Sequence, residues 1–523
     1  MTRVKFISAR EVADMIPDRA SVCVNGFLMT NAAEELFRAV EDRFLDSGHP
    51  KDLKLMFTGS VGDGSERGIN HFAHEGLIRE CFGAHYGVMR KLSPLILENK
   101  IKAYNLPQGI TVQLYRAQGA GQPGIISHVG LGTFADPDLD GGKLNEISDE
   151  EFVKKVEVDG RPYLYYKTPG KIDYALVRGT EADEDGNISL RKEALRMDTV
   201  PVALATKNTG GKVIVQVERI VRRGTIDPKA VALPRNLVDY VCVVQDMKNH
   251  MHTQVTPFCE DFISSAGYYV KSPTVLPLNA KKVAARRAAM ALDKKDYVLN
   301  FGVGVSDMVS MILDEEGIAK HFIQTAESGI TGGISQSGGD FGVSRYPEAL
   351  MDVAYQFDYY QGGGLDAAFL GLAQCDREGN INVSKFGNSL VTGSGGFGDI
   401  AQNAKKVVFC GTFMVKSGEM EIKDGKLHII KEGTGVKFLN SVEQITYSGQ
   451  YARKVGQTAY AVTERAVFRL EEDGWELLEI APGVDLNQDV LAHMEFKPMV
   501  SPDLKLMDAR LFEDVPMGLT MDD

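Results

Sequence analysis

No apolar run in the 523-residue chain approaches the ~18 residues that a membrane-spanning helix needs. The N-terminus, Met1-Thr2-Arg3-Val4-Lys5-Phe6, has no signal-like apolar core. A soluble, cytoplasmic protein with no membrane partner is expected. Positive charge is also scarce: 58 Lys and Arg stand against 71 Asp and Glu, for a net charge of -13. Binding a phosphate backbone needs a basic face, so the balance argues against nucleic acid as a partner. The six cysteines (Cys23, Cys81, Cys242, Cys259, Cys375, Cys410) lie far apart and form no CxxC pair, which suggests neither a zinc site nor a redox dithiol. Cys23, Cys242, Cys375 and Cys410 fall inside apolar runs and read as small core residues. There is no P-loop sequence and no GxSxG elbow. His71 and His74 have no third ligand nearby and read as a helix surface, so no metal is expected.

What the chain has in excess is glycine, 54 residues, gathered in clusters. One cluster follows Glu327. His321 to Ala326 reads as a short buried strand. The stretch after it carries glycine at 329, 332, 333, 338, 339 and 342, too many for a regular element. A carboxylate therefore sits where a strand opens into a glycine-rich loop, the edge at which open α/β sheets bind ligands. Two readings are open: Glu327 is a nucleophile, or it caps the loop through backbone amides. In a second stretch, Tyr104-Asn105-Leu106-Pro107-Gln108-Gly109 opens a helix that runs to Gln118. Buried there, Gln108 would offer two N–H donors to a developing oxyanion. The alternative is a glutamine bonded to its own loop.

Strand, glycine and helix recur in that order, an α/β signature. Ser21 to Val24 is a strand, Asn25-Gly26-Phe27 a loop, and Ala32 to Phe44 has helical spacing. Further strands are read at Leu53 to Phe57, Asp173 to Gly179, Val213 to Val217 and Val238 to Val244, with a proline-punctuated loop between the last two. Residues 245 to 280, with His250, His252, Pro257 and Pro273, read as a linker or flap. The helix from Lys281 to Leu292 carries Lys281, Lys282, Arg286 and Arg287, a basic face expected to be solvated. The second half then repeats the first. Tyr297 to Gly304 leads into a helix, and Asp366 to Ile381 echoes Asp173 to Ile188, with aspartate, glycine, asparagine and isoleucine at the same spacing. This predicts two related open α/β domains in tandem, 1–275 and 276–523, with a site between them and a β-rich C-terminal part.

Gly302-Val303-Gly304 after a strand partly resembles a dinucleotide fingerprint, but Asp307 occupies the place of the third glycine. What remains is a lone glutamate, an amide donor and several glycine loops. A carboxylate nucleophile without metal or cofactor suits acyl exchange: it attacks a thioester, and the released thiolate returns to make a glutamyl thioester that a second acid discharges. An unperturbed Glu pKa of ~4.3 would leave the nucleophile ionised at neutral pH.

These residues resemble the family I CoA-transferases, and more closely the single-chain acetate and propionate CoA-transferase group. The resemblance rests on Glu327-Ser328-Gly329 with Gly332-Gly333, Tyr104 to Gly109, Gly130-Leu131-Gly132-Thr133-Phe134, Gly141 to Asn145, Gln356 to Asp366, Asn380 to Gly387, Gly393-Ser394-Gly395-Gly396-Phe397 and Phe409 to Phe413. It implies two fused subunits with the active site between them. It further implies an enzyme that moves coenzyme A between a short-chain acyl-CoA and a free carboxylate, with no permanently bound cofactor, as a homodimer or homotetramer. Glu327 would carry the CoA thioester and Gln108 would help form the oxyanion hole. Gly26, Phe27, Asn300, Gly302, Gly304, Gly393, Gly395 and Gly396 would line the substrate and CoA site. One departure stands out. Leu28-Met29 replaces the small residues usual after Gly26-Phe27, which bears on the acyl pocket. Two other classes remain open: an acyl-CoA hydrolase using the same glutamate, and a non-catalytic binding protein.

Overall fold

Val22, Cys23 and Val24 are all fully buried, as are Leu55 and Met56. Continuous apolar strands of this kind are covered on both faces, the mark of a parallel sheet. The computed structural model, which describes residues 4–266, 275–387 and 389–521, places them in the middle of one. Its strands are β1 (Lys5–Phe6), β2 (Ser21–Val24), β3 (Leu53–Met56), β4 (Ile78–Gly83), β5 (Lys102–Asn105), β6 (Tyr174–Arg178), β7 (Lys212–Val217) and β8 (Tyr240–Val243). They lie in the order β1-β8-β7-β6-β2-β3-β4-β5, every pair parallel.

The second half builds a ten-stranded sheet from β9 (Val298–Phe301), β10 (Ile323–Ala326), β11 (Ile330–Thr331), β12 (Ala349–Leu350), β13 (Ala367–Gly371), β14 (Lys406–Cys410), β15 (Thr458–Val462), β16 (Ala466–Glu471), β17 (Gly474–Ile480) and β18 (Met499–Leu506). The order is β12-β11-β10-β9-β13-β14-β15-β16-β17-β18. The central run β10 to β15 is parallel, antiparallel pairings extend it on both sides, and β18 closes one edge parallel to β17.

The repeat seen in the sequence is a repeat of structure. Asp183 accepts hydrogen bonds from the backbone of Asp185 and Asn187 and from the Asn187 side chain at 2.8 Å. Asp376 does the same with Glu378, Asn380 and the Asn380 side chain. Gly186 and Gly379 turn each hairpin at positive φ, +91° and +86°. Asp173 binds the Ser21 N–H at the start of β2, and Asp366 binds the Val298 N–H at the start of β9.

Several local expectations change. The proline-punctuated loop contributes the strands Arg219–Val221 and Val231–Leu233 to a four-stranded sheet. The stretch after Glu327 is not wholly irregular, since β11 pairs with β10 and Ile334–Ser335 pairs with Ser344–Arg345. His71 is no helix surface: it is buried in the short helical turn Ile69–Phe72, between Glu34 at 2.9 Å and Glu41. The basic helix, Ala280–Ala289, turns Lys282 and Arg286 inward. The Lys282 ammonium donates to Glu315 at 2.7 Å, and Arg286 donates to the carbonyls of Glu513 and Val515 at 2.7 Å. A buried cation needs an ion pair and acceptors, and Glu315 supplies the charge.

Candidate active site

Glu327 follows the last residue of β10, at the carboxyl end of the parallel strands. The register explains its neighbours. Asn300 pairs with Thr325 on the adjacent strand, two residues before Glu327. Asn300 Nδ2 donates to the Thr325 carbonyl at 3.2 Å and lies 3.3 Å from the Tyr360 hydroxyl, which itself donates to Thr325 Oγ1 at 2.8 Å. Asn300 thus braces the strand behind Glu327. After Glu327 the chain turns at Gly329, φ +99°, where a Cβ would collide with the Met351 carbonyl.

Gln108 begins the helix Gln108–Gly119 of the first half. Its side chain is 1% exposed and its Nε2 has no hydrogen-bond partner. Buried donors are nearly always paired, so this unpaired amide is a candidate donor to a ligand. The Gln108 N–H donates to the Gly395 carbonyl at 3.0 Å. The next residue, Gly396, lies against Glu327 so closely that a Cβ there would overlap Glu327 Oε2. The loop of residues 393–396 therefore ties the donor of one half to the carboxylate of the other. Gly393, φ +71°, is wedged against the Ala84 carbonyl and Asn105.

Glu327 is half-buried, and its carboxyl is pushed up to about 7. Burial is the main cause and the charge of Asp399 the second, while a hydrogen bond from the Gly396 N–H works the other way. The unperturbed value expected from the sequence is wrong at this position. Asp399 sits in the helix Phe397–Asn403 and is itself raised to about 7 by burial, against hydrogen bonds from the Gly109 N–H at 3.0 Å and Gln361 Nε2 at 2.7 Å. The Asp399 charge thus adds to the rise that burial gives Glu327.

Phe27 packs between the halves. Its ring lies beside Gly59, whose neighbours include Gln108 Oε1, and against Gly342, where a Cβ would strike it. Gly342 in turn accepts a hydrogen bond from Ser328 at 2.7 Å. Gly26, at φ +145°, lets the turn form: a Cβ there would come within 3.0 Å of the Thr30 carbonyl. Leu28 and Met29 serve as anchors of that turn, Met29 in the first-half core and Leu28 against the second.

Comparison with known proteins settles the family. The coenzyme A transferase family model matches residues 7–244. The chain is 42% identical to an acetate CoA-transferase, YdiF, of Escherichia coli over 99% of its own length and 97% of that protein's. This chain belongs to the coenzyme A transferase family. It is 45% identical to a caffeate CoA-transferase of Acetobacterium woodii, over 98% of each chain. The crystal structure of the YdiF apoenzyme from Escherichia coli superposes with a TM-score of 0.92, at 41% identity, covering 99% of this chain and 98% of that one. YdiF has also been solved as a thioester complex with CoA.

As a CoA-transferase, the protein is an enzyme whose substrate is a CoA thioester. Its structure brings Glu327, Gln108, Phe27, Gly395 and Gly396 into one cluster, with Asn300 behind it. Gly302 and Gly304 stay on the neighbouring strand end: Gly302 packs near Leu370 and Phe369, and a Cβ at Gly304 would meet nothing within 4 Å. Among the described residues, no group of His, Cys, Asp and Glu gathers as a metal site, and no helix is long and apolar enough to cross a membrane. Two residues beside the cluster had no sequence reading: Asp399, for which an acid opening a helix just after a glycine loop was an available signal, and His85, whose ring packs against Gly395 and for which there was none.

Proposed function

We propose that the enzyme transfers coenzyme A between a short-chain acyl-CoA and a free carboxylate of the acetate or propionate type, by a ping-pong route through a glutamyl-CoA thioester on Glu327. One observation carries the proposal: a desolvated carboxylate and a buried, unpaired amide donor are tied together by one glycine loop. The Glu327 carboxylate attacks the thioester carbonyl. The developing oxyanion takes a hydrogen bond from Gln108 Nε2, which loses no partner in giving it. The C–S bond breaks, releasing CoA thiolate and leaving a mixed anhydride on Glu327. The thiolate attacks the glutamyl carbonyl, the free acid leaves, and CoA is held on the enzyme. A second carboxylate reverses these steps. One thioester replaces another, so no nucleotide is consumed.

The acetate preference draws on the likeness to YdiF, and assembly as a homodimer or homotetramer is part of the same proposal. The test is an intact-mass spectrum after incubation with acetyl-CoA and no acceptor acid, followed by borohydride reduction and peptide mapping. A CoA-sized adduct, with reduction at Glu327, is expected. No adduct with any short acyl-CoA, together with unchanged turnover in Glu327→Ala, would overturn the mechanism.

A further inference from the structure

We infer that His85 binds the pantetheine arm of the CoA substrate, its Nε2–H donating to the amide carbonyl nearest the thioester. The inference rests on the transferase reading above and adds a contact to it.

His85 lies in the joint between the halves. The Tyr86 N–H donates to Thr392 O at 2.6 Å, the Gly395 N–H donates to Ala84 O at 2.9 Å, and His85 itself bridges to Gly393. Its ring rests on Gly395, where a Cβ would come within 3.2 Å of His85 Cδ2. Gly395 is the residue whose carbonyl receives the Gln108 N–H, and Gly396 lies under Glu327. The imidazole thus stands one residue, about 3.8 Å of chain, beyond the seat of the nucleophile.

The tautomer follows from the hydrogen bonding. His85 Nδ1 accepts the Gly87 N–H at 3.3 Å, so in the neutral ring Nε2 carries the proton. No hydrogen bond at Nε2 is found among the described residues, and His85 is partly exposed. Burial lowers the imidazole to about 4, with no charged neighbour contributing. The ring is therefore a neutral, single donor at working pH. A phosphate would be matched by a cation; a neutral donor suits a neutral carbonyl. With the thioester carbonyl between Glu327 and Gln108, the arm must leave past the side-chain-free surface of Gly395 and Gly396. Its first amide follows a short ethylene spacer from the sulfur, which brings it abreast of the His85 ring.

The experiment compares two acetyl donors, S-acetyl-pantetheine, which has the amide, and S-ethyl thioacetate, which lacks it, using wild type, His85→Ala and His85→Gln. One neutral hydrogen bond of ~0.5–1.5 kcal/mol corresponds to about a 2- to 12-fold loss. The ratio of kcat/KM for acetyl-pantetheine to that for S-ethyl thioacetate should fall by this factor in His85→Ala, mainly through KM. His85→Gln, whose amide can donate from nearly the same place, should recover much of it. An equal loss on both donors would mark a purely structural role, and no loss on either would mean no contact; both outcomes overturn the assignment. A wild-type enzyme that forms no glutamyl-CoA from acetyl-CoA would instead bring down the transferase reading, and His85 with it.

Discussion

Gly396 sits directly against the carboxylate of Glu327: a methyl group on its Cα would overlap Glu327 Oε2. The backbone of Gly396 is ordinary, φ −79° and ψ −6°, so alanine is tolerated there as far as conformation goes. Gly396→Ala should therefore fold normally and yet move the nucleophile. A displacement of about 1 Å at a reacting centre costs on the order of 10²-fold in rate. Turnover measured beside a melting curve checks this. Near wild-type turnover in a folded variant would show that Glu327 reacts from another rotamer.

Gln108→Leu separates catalysis from stability in the opposite sense. The Gln108 Nε2 is buried and unpaired in the resting enzyme. Removing an unsatisfied donor is neutral or stabilising, whereas losing an oxyanion donor lowers kcat by ~10²–10³-fold. The variant should melt at or above the wild-type temperature while turning over at a small fraction of its rate. A variant that lost stability but kept its rate would assign Gln108 to the loop and remove it from the chemistry.

The pH dependence of glutamyl-CoA formation reports the Glu327–Asp399 pair. In the proposed mechanism only ionised Glu327 attacks, and its carboxyl is raised to about 7. The rate of the first half-reaction should therefore fall as pH drops through about 7. Asp399→Asn removes the like charge while keeping the shape and one acceptor, so this acidic limb should move to lower pH. Stopped-flow or quenched mass spectrometry across pH 5 to 9 would decide the matter. A limb that stays in place in Asp399→Asn would mean burial alone sets the Glu327 value.

Much of this was legible in the chain, for identifiable reasons. Asp183 and Asp376 recur because each binds the turn that follows it, and such local bonding leaves a fixed spacing of aspartate, glycine and asparagine. Glu327 and Gln108 were visible because each stands where a regular element meets a glycine or proline signal. What stayed hidden depends on packing across long separations. Lys282 reads as solvated until the helix bearing Glu315 packs over it. His71 reads as surface until Glu34 and Glu41 close on it. The raised carboxyl of Glu327 comes from burial first and from the charge of Asp399 second, and both arise only with the fold.

The Lys282–Glu315–Arg286 cluster makes its own prediction. Lys282 is 1% exposed and Arg286 fully buried. Removing one partner from a buried ion pair strands the remaining charge and typically costs ~3–5 kcal/mol. Glu315→Gln strands two cations at once, and Arg286 also holds the carbonyls of Glu513 and Val515. Denaturant titration should show a loss of that order, while the pH profile of any activity that survives keeps its wild-type shape. An undiminished midpoint would mean that the backbone carbonyls alone satisfy both cations.

Glu327→Gln should stabilise the protein, in a way that depends on pH. A carboxyl raised in the folded state to about 7, from an unfolded value near 4.5, favours folding only while protonated. That contribution is complete below the unfolded pKa and is lost as pH rises through the folded one. At pH 8 the wild type therefore folds with a charge it would rather not bury, and glutamine has none. Allowing for its partial exposure, the gain is on the order of 1–2 kcal/mol at pH 8. It shrinks as pH falls toward 5, where both side chains are neutral. Melting curves of wild type and Glu327→Gln at the two pH values test this directly. An equal offset at both would mean that the variant repacks the site instead of relieving a charge, and the strained nucleophile would have to be given up.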